Sequence, residues 1–395
     1  MIISYASAVS KDIIIFCSYK YSWLNHFIVY VIISPMLDPI RNKIEHSIKQ
    51  FVVKRLKFYQ VQAIHPFFYE QLLEYTLRKG KRIRPMLLVL AYDGYRKTKN
   101  TLPPSLYNAA SSIELLHNFM LIHDDIIDCS DLRRGKPTLH KLLEKTTPCS
   151  EPEKLGISLG IIAGDLLYTL AIEALLSVNE KPKHKQTALQ YFTQTTAYTA
   201  IGEFVDTVYG FEPLDAITEK GVYLNYTLKT SRYTFEGPLI IGATLAGANQ
   251  TEIKNCSKLS ILAGQAFQIQ DDVIGIFGTE EAIGKSILSD LEESKKTLLV
   301  CHAFHHLKGT DKKQFLSVFT KKTKTLADLE IIKALFLKTG SLQYCLKETR
   351  KRVDQAVALL QKSKMKPAIR AQIQEVISAP FKASAQIAEQ YNLKF

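Results

Sequence analysis

Apolar side chains recur at intervals of three and four residues through most of this 395-residue chain. The segments 40–56, 106–128, 157–177, 185–209, 217–247, 250–275, 326–341 and 346–361 all carry this spacing. It keeps an apolar stripe on one face of a 3.6-residue helix and would scatter over both faces of a strand, so each segment predicts an amphipathic helix. Breakers fall between segments at Lys79-Gly80, Pro103-Pro104, Gly135-Lys136-Pro137, Pro148 to Pro152 and Gly278. Alternating strands joined by hairpin turns are not predicted. No fixed-period repeat or low-complexity linker divides the chain, and the motifs described below run without a gap from Gly80 to Thr297. The expected fold is all-α: one large helical bundle forming a single domain over residues 36–395.

Residues 1–35 read differently. Ile13 to Phe16 and Phe27 to Ile33 are apolar runs separated by Lys20, Ser22 and Asn25. Neither run reaches the ~18–20 apolar residues that cross a bilayer, and the first lysines come too late for a secretory signal. The segment is read as a peripheral membrane contact, as an extra packed helix, or as residues preceding a start at Met36, which opens the amphipathic stretch LDPIRNKIEHSIKQFV. Six cysteines at 17, 129, 149, 256, 301 and 345 show no CxxC spacing, so neither a zinc framework nor a disulfide scaffold is expected, and a reducing cytoplasm is the default expectation. Cys301, His302, His305 and His306 lie in a helical stretch without a second ligand pair and are read as packing residues.

The stretch Ile122 to His140, IHDDIIDCSDLRRGKPTLH, concentrates carboxylates and then cations. Surface ion pairing is a weak reason for such a cluster, at about 0–1 kcal/mol a pair. On a helix Asp124 and Asp128 share one face about 6 Å apart along the axis, while Asp125 points away. Carboxylates one turn apart suit a hard divalent cation such as Mg2+, which takes a few carboxylates together with water and phosphate oxygens; the alternative is a solvated acidic helix end. A second acidic pair, Asp271-Asp272, again ends an apolar helix, and facing helices can join two such ends into one metal site. Gly275 takes the place of a fourth carboxylate there.

Cations accompany both pairs. Lys79 to Pro85 reads KGKRIRP, Arg133-Arg134-Gly135-Lys136 follows the first acids, and Lys229-Thr230, Lys285 and Lys295-Lys296-Thr297 complete the set. Arginine grips phosphate through a planar fork and lysine acts as a mobile point charge, so this surplus suits two phosphorylated substrates. The net charge of +13 agrees with an anionic partner. The run Gly278 to Ser286 has five residues between its glycines and follows a helix, so it is not a P-loop.

With these motifs in their order (GKRIRP, HDDIID followed by DLRRGKPTLH, KTSRYTF, FQIQDD and GK…SDLEESKKT) the chain resembles the polyprenyl synthetase family of trans-isoprenyl diphosphate synthases over about residues 36 to 395. DDVIGIFG looks like the archaeal geranylgeranyl diphosphate synthase branch. The resemblance implies helices surrounding a central active-site cavity and Mg2+-dependent condensation of isopentenyl diphosphate with an allylic diphosphate. It implies that Asp124, Asp128 and Asp271 ligate Mg2+, as several ions per site, and that Asp125 and Asp272 orient water or neighbouring ligands. Arg133, Lys229, Thr230, Gln268, Lys285 and Lys295 would hold the allylic diphosphate, and Lys81, Arg84, His117 and Arg134 isopentenyl diphosphate. Phe119 and Met120, one helical turn before Asp124, would set product length, favouring 20 carbons with 15 as the alternative. A homodimer is implied and no nucleic-acid partner is expected. A class I terpene cyclase would not need the second cation cluster, and a non-catalytic subunit would be expected to have eroded motifs.

Overall fold

Proline at the first helical turn, where no backbone N–H is needed, starts four of the longest helices. These are α5 (Pro104–Ile127), α7 (Pro152–Leu176), α8 (Pro182–Phe211) and α17 (Pro367–Gln390). The computed structural model describes residues 35–98, 100–278 and 288–394. The expectations for residues 1–34 therefore lie outside the described residues. Before α5 come α1 (Asp38–Phe58), α2 (Val61–Ile64), α3 (Pro66–Thr76) and α4 (Ile83–Tyr95). The short α6 (Leu139–Leu143) precedes α7. After α8 lie α9 (Glu219–Asn225), a π-helix over Tyr226–Glu236, α10 (Gly237–Leu245) and α11 (Gln250–Phe277). The remainder is α12 (Ser289–Glu292), α13 (Leu298–His306), α14 (Gly309–Phe319), α15 (Leu326–Lys338) and α16 (Ser341–Gln361).

Helix α5 packs on α7, α4 and α1, and α11 packs on α16 and the π-helix. One apolar core gathers around α4, α5, α7 and α10. A second gathers around the C-terminal half of α11 with α13 to α16. Helix α11 supplies both, from Ala263 and Ala266 to Ile269 and Val273, and so ties them together. Fully buried side chains such as Leu87, Phe192 and Phe336 each contribute ~1.5–3 kcal/mol by leaving water.

Two features depart from the sequence expectation. Leu132–Arg133 (β1) and Lys136–Pro137 (β2) form an antiparallel hairpin, each strand too short to show any alternation. Its turn residues Arg134 and Gly135 have φ of 57° and 71°, the left-handed conformation that a two-residue hairpin turn requires. The predicted helix 217–247 also changes its winding in mid-course, with the π-helix set between α9 and α10.

Candidate active site

The π-helix projects Lys229, Thr230 and Tyr233 into a cavity of about 420 Å³. A π-helix is wider than an α-helix, and its neighbours must make room. Glycines on both sides do so. A Cβ at Gly202 of α8 would lie 2.3 Å from the Lys229 backbone nitrogen, and one at Gly264 of α11 would lie 2.4 Å from Ser231 Cα.

Asp124 and Asp125 stand on the last turn of α5, and Asp128 caps it. Asp124 lines the cavity, and Asp128 lines an adjoining pocket of about 340 Å³ that shares Glu203 and Lys295 with it. Asp125 is fully buried. It accepts hydrogen bonds from Tyr75 Oη at 3.1 Å and Arg133 Nε at 2.6 Å. Arg133 Nη2 also reaches Asp124 Oδ2 at 2.9 Å. Burial disfavours the Arg133 charge, and Asp125 and Asp124 more than restore it. The hairpin delivers this arginine to the acids from one side, while Lys229 meets them from the other. Lys229 Nζ lies 2.6 Å from Asp206, 3.0 Å from Glu203 and 3.5 Å from Asp124.

Asp271 of α11 lines the same cavity, and the adjacent Asp272 is buried. Tyr226 Oη donates to Asp272 Oδ2 and in turn accepts the Leu298 backbone N–H at 2.8 Å. Gln268 Nε2 donates to Asp272 Oδ1 at 2.9 Å, and Thr230 Oγ1 donates to Gln268 Oε1 at 2.6 Å. This chain of polar contacts links Asp272, Gln268 and the π-helix.

The cations of KGKRIRP divide by role. Arg82 is buried against Glu114 at 2.5 Å and also donates to the Arg78 carbonyl at 2.6 Å. Lys81 and Arg84 face the cavity. Arg84 Nη2 donates to Tyr233 Oη at 2.7 Å, and Arg84 Nη1 lies 3.3 Å from His117 Nε2. Arginine can only donate, so Nε2 must accept and the ring is neutral. Burial, followed by the charges of Arg84, Arg134, Arg133 and Arg82, holds His117 well below its ordinary value. Arg134 Nη1 donates to the Lys79 carbonyl at 3.1 Å, which places its guanidinium in the same corner. Asp131 is an exposed partner of Lys141 at 3.4 Å.

Of the two residues expected to limit chain length, Met120 lines the cavity, beside Leu121, and Phe119 does not. The Phe119 ring instead packs on Tyr168 at 5.1 Å and His123 at 4.7 Å, between α5 and α7. Tyr168 then stacks on Phe192 at 6.3 Å. Adjacent helix positions differ by about 100° in direction, which separates the two side chains. Lys295 lines both cavities and pairs with Glu293 at 2.6 Å, while Lys285 lies outside the described residues. Glu203, Asp206, Tyr75, Tyr226 and Tyr233 were not singled out from sequence. Glu203 and Asp206 show only a helical i,i+3 spacing, and nothing local pairs them with Lys229.

Among the described residues, no three His, Cys, Asp or Glu side chains are gathered as a ready-made ligand set. The acids are spread across the cavity, which suits Mg2+ held jointly by one or two carboxylates and diphosphate oxygens. Charge at Asp128 supports the fit: burial, then Asp124 and Glu293, push its carboxyl up to about 7 against Lys295 and Lys229. A raised folded-state value means that the bound proton stabilises the fold fully below the ordinary carboxylate value, and that this contribution is lost as pH rises through about 7. A bound Mg2+ would take the place of that proton. With inorganic diphosphate present, apparent Mg2+ affinity is expected to rise with pH up to about 7 more steeply in the native chain than in Asp128→Asn, by up to about tenfold per pH unit. Calorimetric titration reads the difference, and equal slopes would remove Asp128 from the ligand set.

A family model described as polyprenyl synthetase matches residues 66–336. The short chain isoprenyl diphosphate synthase of Methanocaldococcus jannaschii is 33% identical over 305 residues, covering 77% of this chain and 83% of the relative. The geranylgeranyl diphosphate synthase of Saccharolobus solfataricus is 31% identical over 338 residues, covering 82% and 90%. That of Methanosarcina mazei is 35% identical over 265 residues, covering 67% and 74%. Among solved structures, a geranylgeranyl pyrophosphate synthase from Corynebacterium glutamicum complexed with isoprenyl diphosphate and magnesium superposes with a TM-score of 0.81 at 25% identity, covering 88% of this chain and 99% of that one. The geranylgeranyl pyrophosphate synthetase from Pyrococcus horikoshii gives 0.72 at 27% identity, covering 88% and 97%. The chain belongs to the polyprenyl synthetase family and is a trans-prenyltransferase.

Proposed function

We propose that residues 36–395 form one catalytic unit that condenses isopentenyl diphosphate head-to-tail with allylic diphosphates and makes geranylgeranyl diphosphate. One observation carries this reading: two groups of cations, Arg133 with Lys229 on Asp124 and Lys81 with Arg84 and Arg134 away from it, line one cavity together with its carboxylates. The first group, with Thr230, Gln268, Lys285 and Lys295, would hold the allylic diphosphate. The second, with neutral His117, would hold isopentenyl diphosphate. Asp124, Asp128 and Asp271 would hold Mg2+, which when bound neutralises charge on the departing diphosphate. Asp125 acts through Arg133, and Asp272 through Gln268 and Tyr226.

Ionisation of the allylic C–O bond is favoured by donors aimed at the leaving diphosphate, because they are already in place when its charge develops. Met120, Leu121, Phe235 and Phe267 line the same cavity and keep water from the resulting cation. The isopentenyl double bond attacks that cation, and a diphosphate oxygen takes the proton then lost. Incubation with isopentenyl diphosphate, Mg2+ and dimethylallyl, geranyl or farnesyl diphosphate, followed by product sizing, tests the reading. Failure to condense with every allylic primer would overturn it.

This row of rings, Phe119 tilted against Tyr168 and Tyr168 stacked on Phe192, would back the cavity floor and stop the growing tail at 20 carbons. Phe119→Ala is expected to shift the product distribution toward longer chains on reversed-phase chromatography. An unchanged profile would remove Phe119 from the floor.

A homodimer is supported by an uncovered apolar face on α7 and α8. Phe204 is 68% and Phe211 91% exposed, with Ile161, Ile162 and Ile201 also exposed. Faces of this kind mark contact surfaces. Among the described residues α7 alone is long and apolar enough to cross a membrane, and 39% of its apolar window is buried. Light scattering at micromolar concentration should give twice the chain mass, and a monomer would overturn the assignment. The five described cysteines are free thiols, which fits work in a reducing cytoplasm.

A further inference from the structure

Lys324 is a buried lysine that the chemistry above does not use, with only 3% of its surface exposed. Lysine is almost never buried without partners. Here Nζ donates to Ser294 Oγ at 2.9 Å, the Lys321 carbonyl at 3.1 Å and the Glu292 carbonyl at 3.4 Å. Of these acceptors, Glu292 ends α12 and Ser294 lies in the segment that joins α12 to α13 and carries Glu293, Lys295 and Lys296 to the site. Ser294 has φ of 52°, a left-handed conformation that strains any residue with a Cβ and comes freely to glycine. Its hydroxyl is fully used: it accepts from Lys324 and donates to the Phe319 carbonyl at 3.1 Å. Lys295 and Lys296 follow immediately. The first lines both cavities, and the second donates to the Gly210 carbonyl at 2.8 Å.

We propose that Lys324 is a positioning residue for the allylic diphosphate: it holds the strained turn at Ser294 and thereby aims Lys295 into the cavity. A serine in this conformation needs an external hold that a glycine would not, and the amine of Lys324 supplies it from just ahead of α15. The inference rests on the reading that Lys295 grips the allylic diphosphate.

The test is a double-mutant cycle on the full chain with geranyl diphosphate, isopentenyl diphosphate and Mg2+. Lys324→Met keeps most of the side-chain volume and removes the donors. It should raise KM for geranyl diphosphate roughly tenfold, the scale of a small displacement within a site, and leave KM for isopentenyl diphosphate within twofold. In the Ser294→Gly background the same change should raise KM for geranyl diphosphate less than twofold, because glycine holds the turn unaided. Backbone hydrogen exchange over residues 291–297 should quicken in Lys324→Met and recover in the double variant. A purely structural lysine would lower both affinities together and would not be relieved by glycine. An unchanged KM for geranyl diphosphate in Lys324→Met, or an equal loss in both backgrounds, overturns the proposal. Lys295→Ala separates the two readings. If it leaves KM for geranyl diphosphate unchanged, the grip assigned to Lys295 fails, and the exchange data alone then decide whether Lys324 holds the turn.

Discussion

Asp124→Ala is expected to lower kcat roughly 10³-fold, the scale seen when preorganised charge stabilisation is removed from an active site. Asp124 is the carboxylate on which both halves of the allylic clamp converge, Arg133 at 2.9 Å and Lys229 at 3.5 Å. Its loss removes a proposed metal ligand and releases the two cations from their common reference point. Lys81, Arg84 and Arg134 form the other group of cations and make no contact with Asp124 among those described above, so KM for isopentenyl diphosphate should change far less than kcat. Steady-state kinetics with each substrate varied separately would show the split. A near-native kcat would take Asp124 out of the machinery.

Lys229→Met should be costly in a different way. Lys229 Nζ stands among Asp206, Glu203 and Asp124, each side chain only 21–25% exposed. Burial lowers the lysine's affinity for its proton, and Asp206, Asp124 and Glu203 together outweigh that effect, so it remains charged. Removing it leaves three half-buried carboxylates facing one another, at an expected loss of about 2–4 kcal/mol of stability. Turnover should fall about 10²-fold as one diphosphate donor disappears. Mg2+ should raise the melting temperature of the variant more than that of the native chain, because a cation can then take the vacated position. An equal Mg2+ response in both would show that the three carboxylates do not act as one cluster.

The long amphipathic helices were legible because each must bury a stripe, and stripes leave a period in the sequence. Helix α4, PMLLVLAY in its middle, was not among the predicted segments. It is buried on nearly every side and so shows no polar face to set the period. Helix α17 carries Pro380 in its interior, a residue that reads as a stop. The acidic pairs could be found because they emerge directly from apolar runs. How the cations divide could not be read: Lys81, Arg82 and Arg84 look alike in sequence, and only packing commits Arg82 to Glu114. Glu203 and Asp206 meet Lys229 through contacts 26 and 23 residues apart along the chain, a distance that local spacing does not report.

The π-helix imposes a constraint of a different kind on this enzyme. Its eleven residues hold Lys229 and Thr230 toward the cavity while the backbone fits between Gly202 and Gly264. Deleting one residue there would let the segment rewind as an ordinary helix and turn every side chain beyond the cut to a new direction. All the reactive groups would survive such a deletion, and none beyond it would keep its aim. In this stretch, the number of residues fixes the aim of the side chains as firmly as their identity fixes the chemistry.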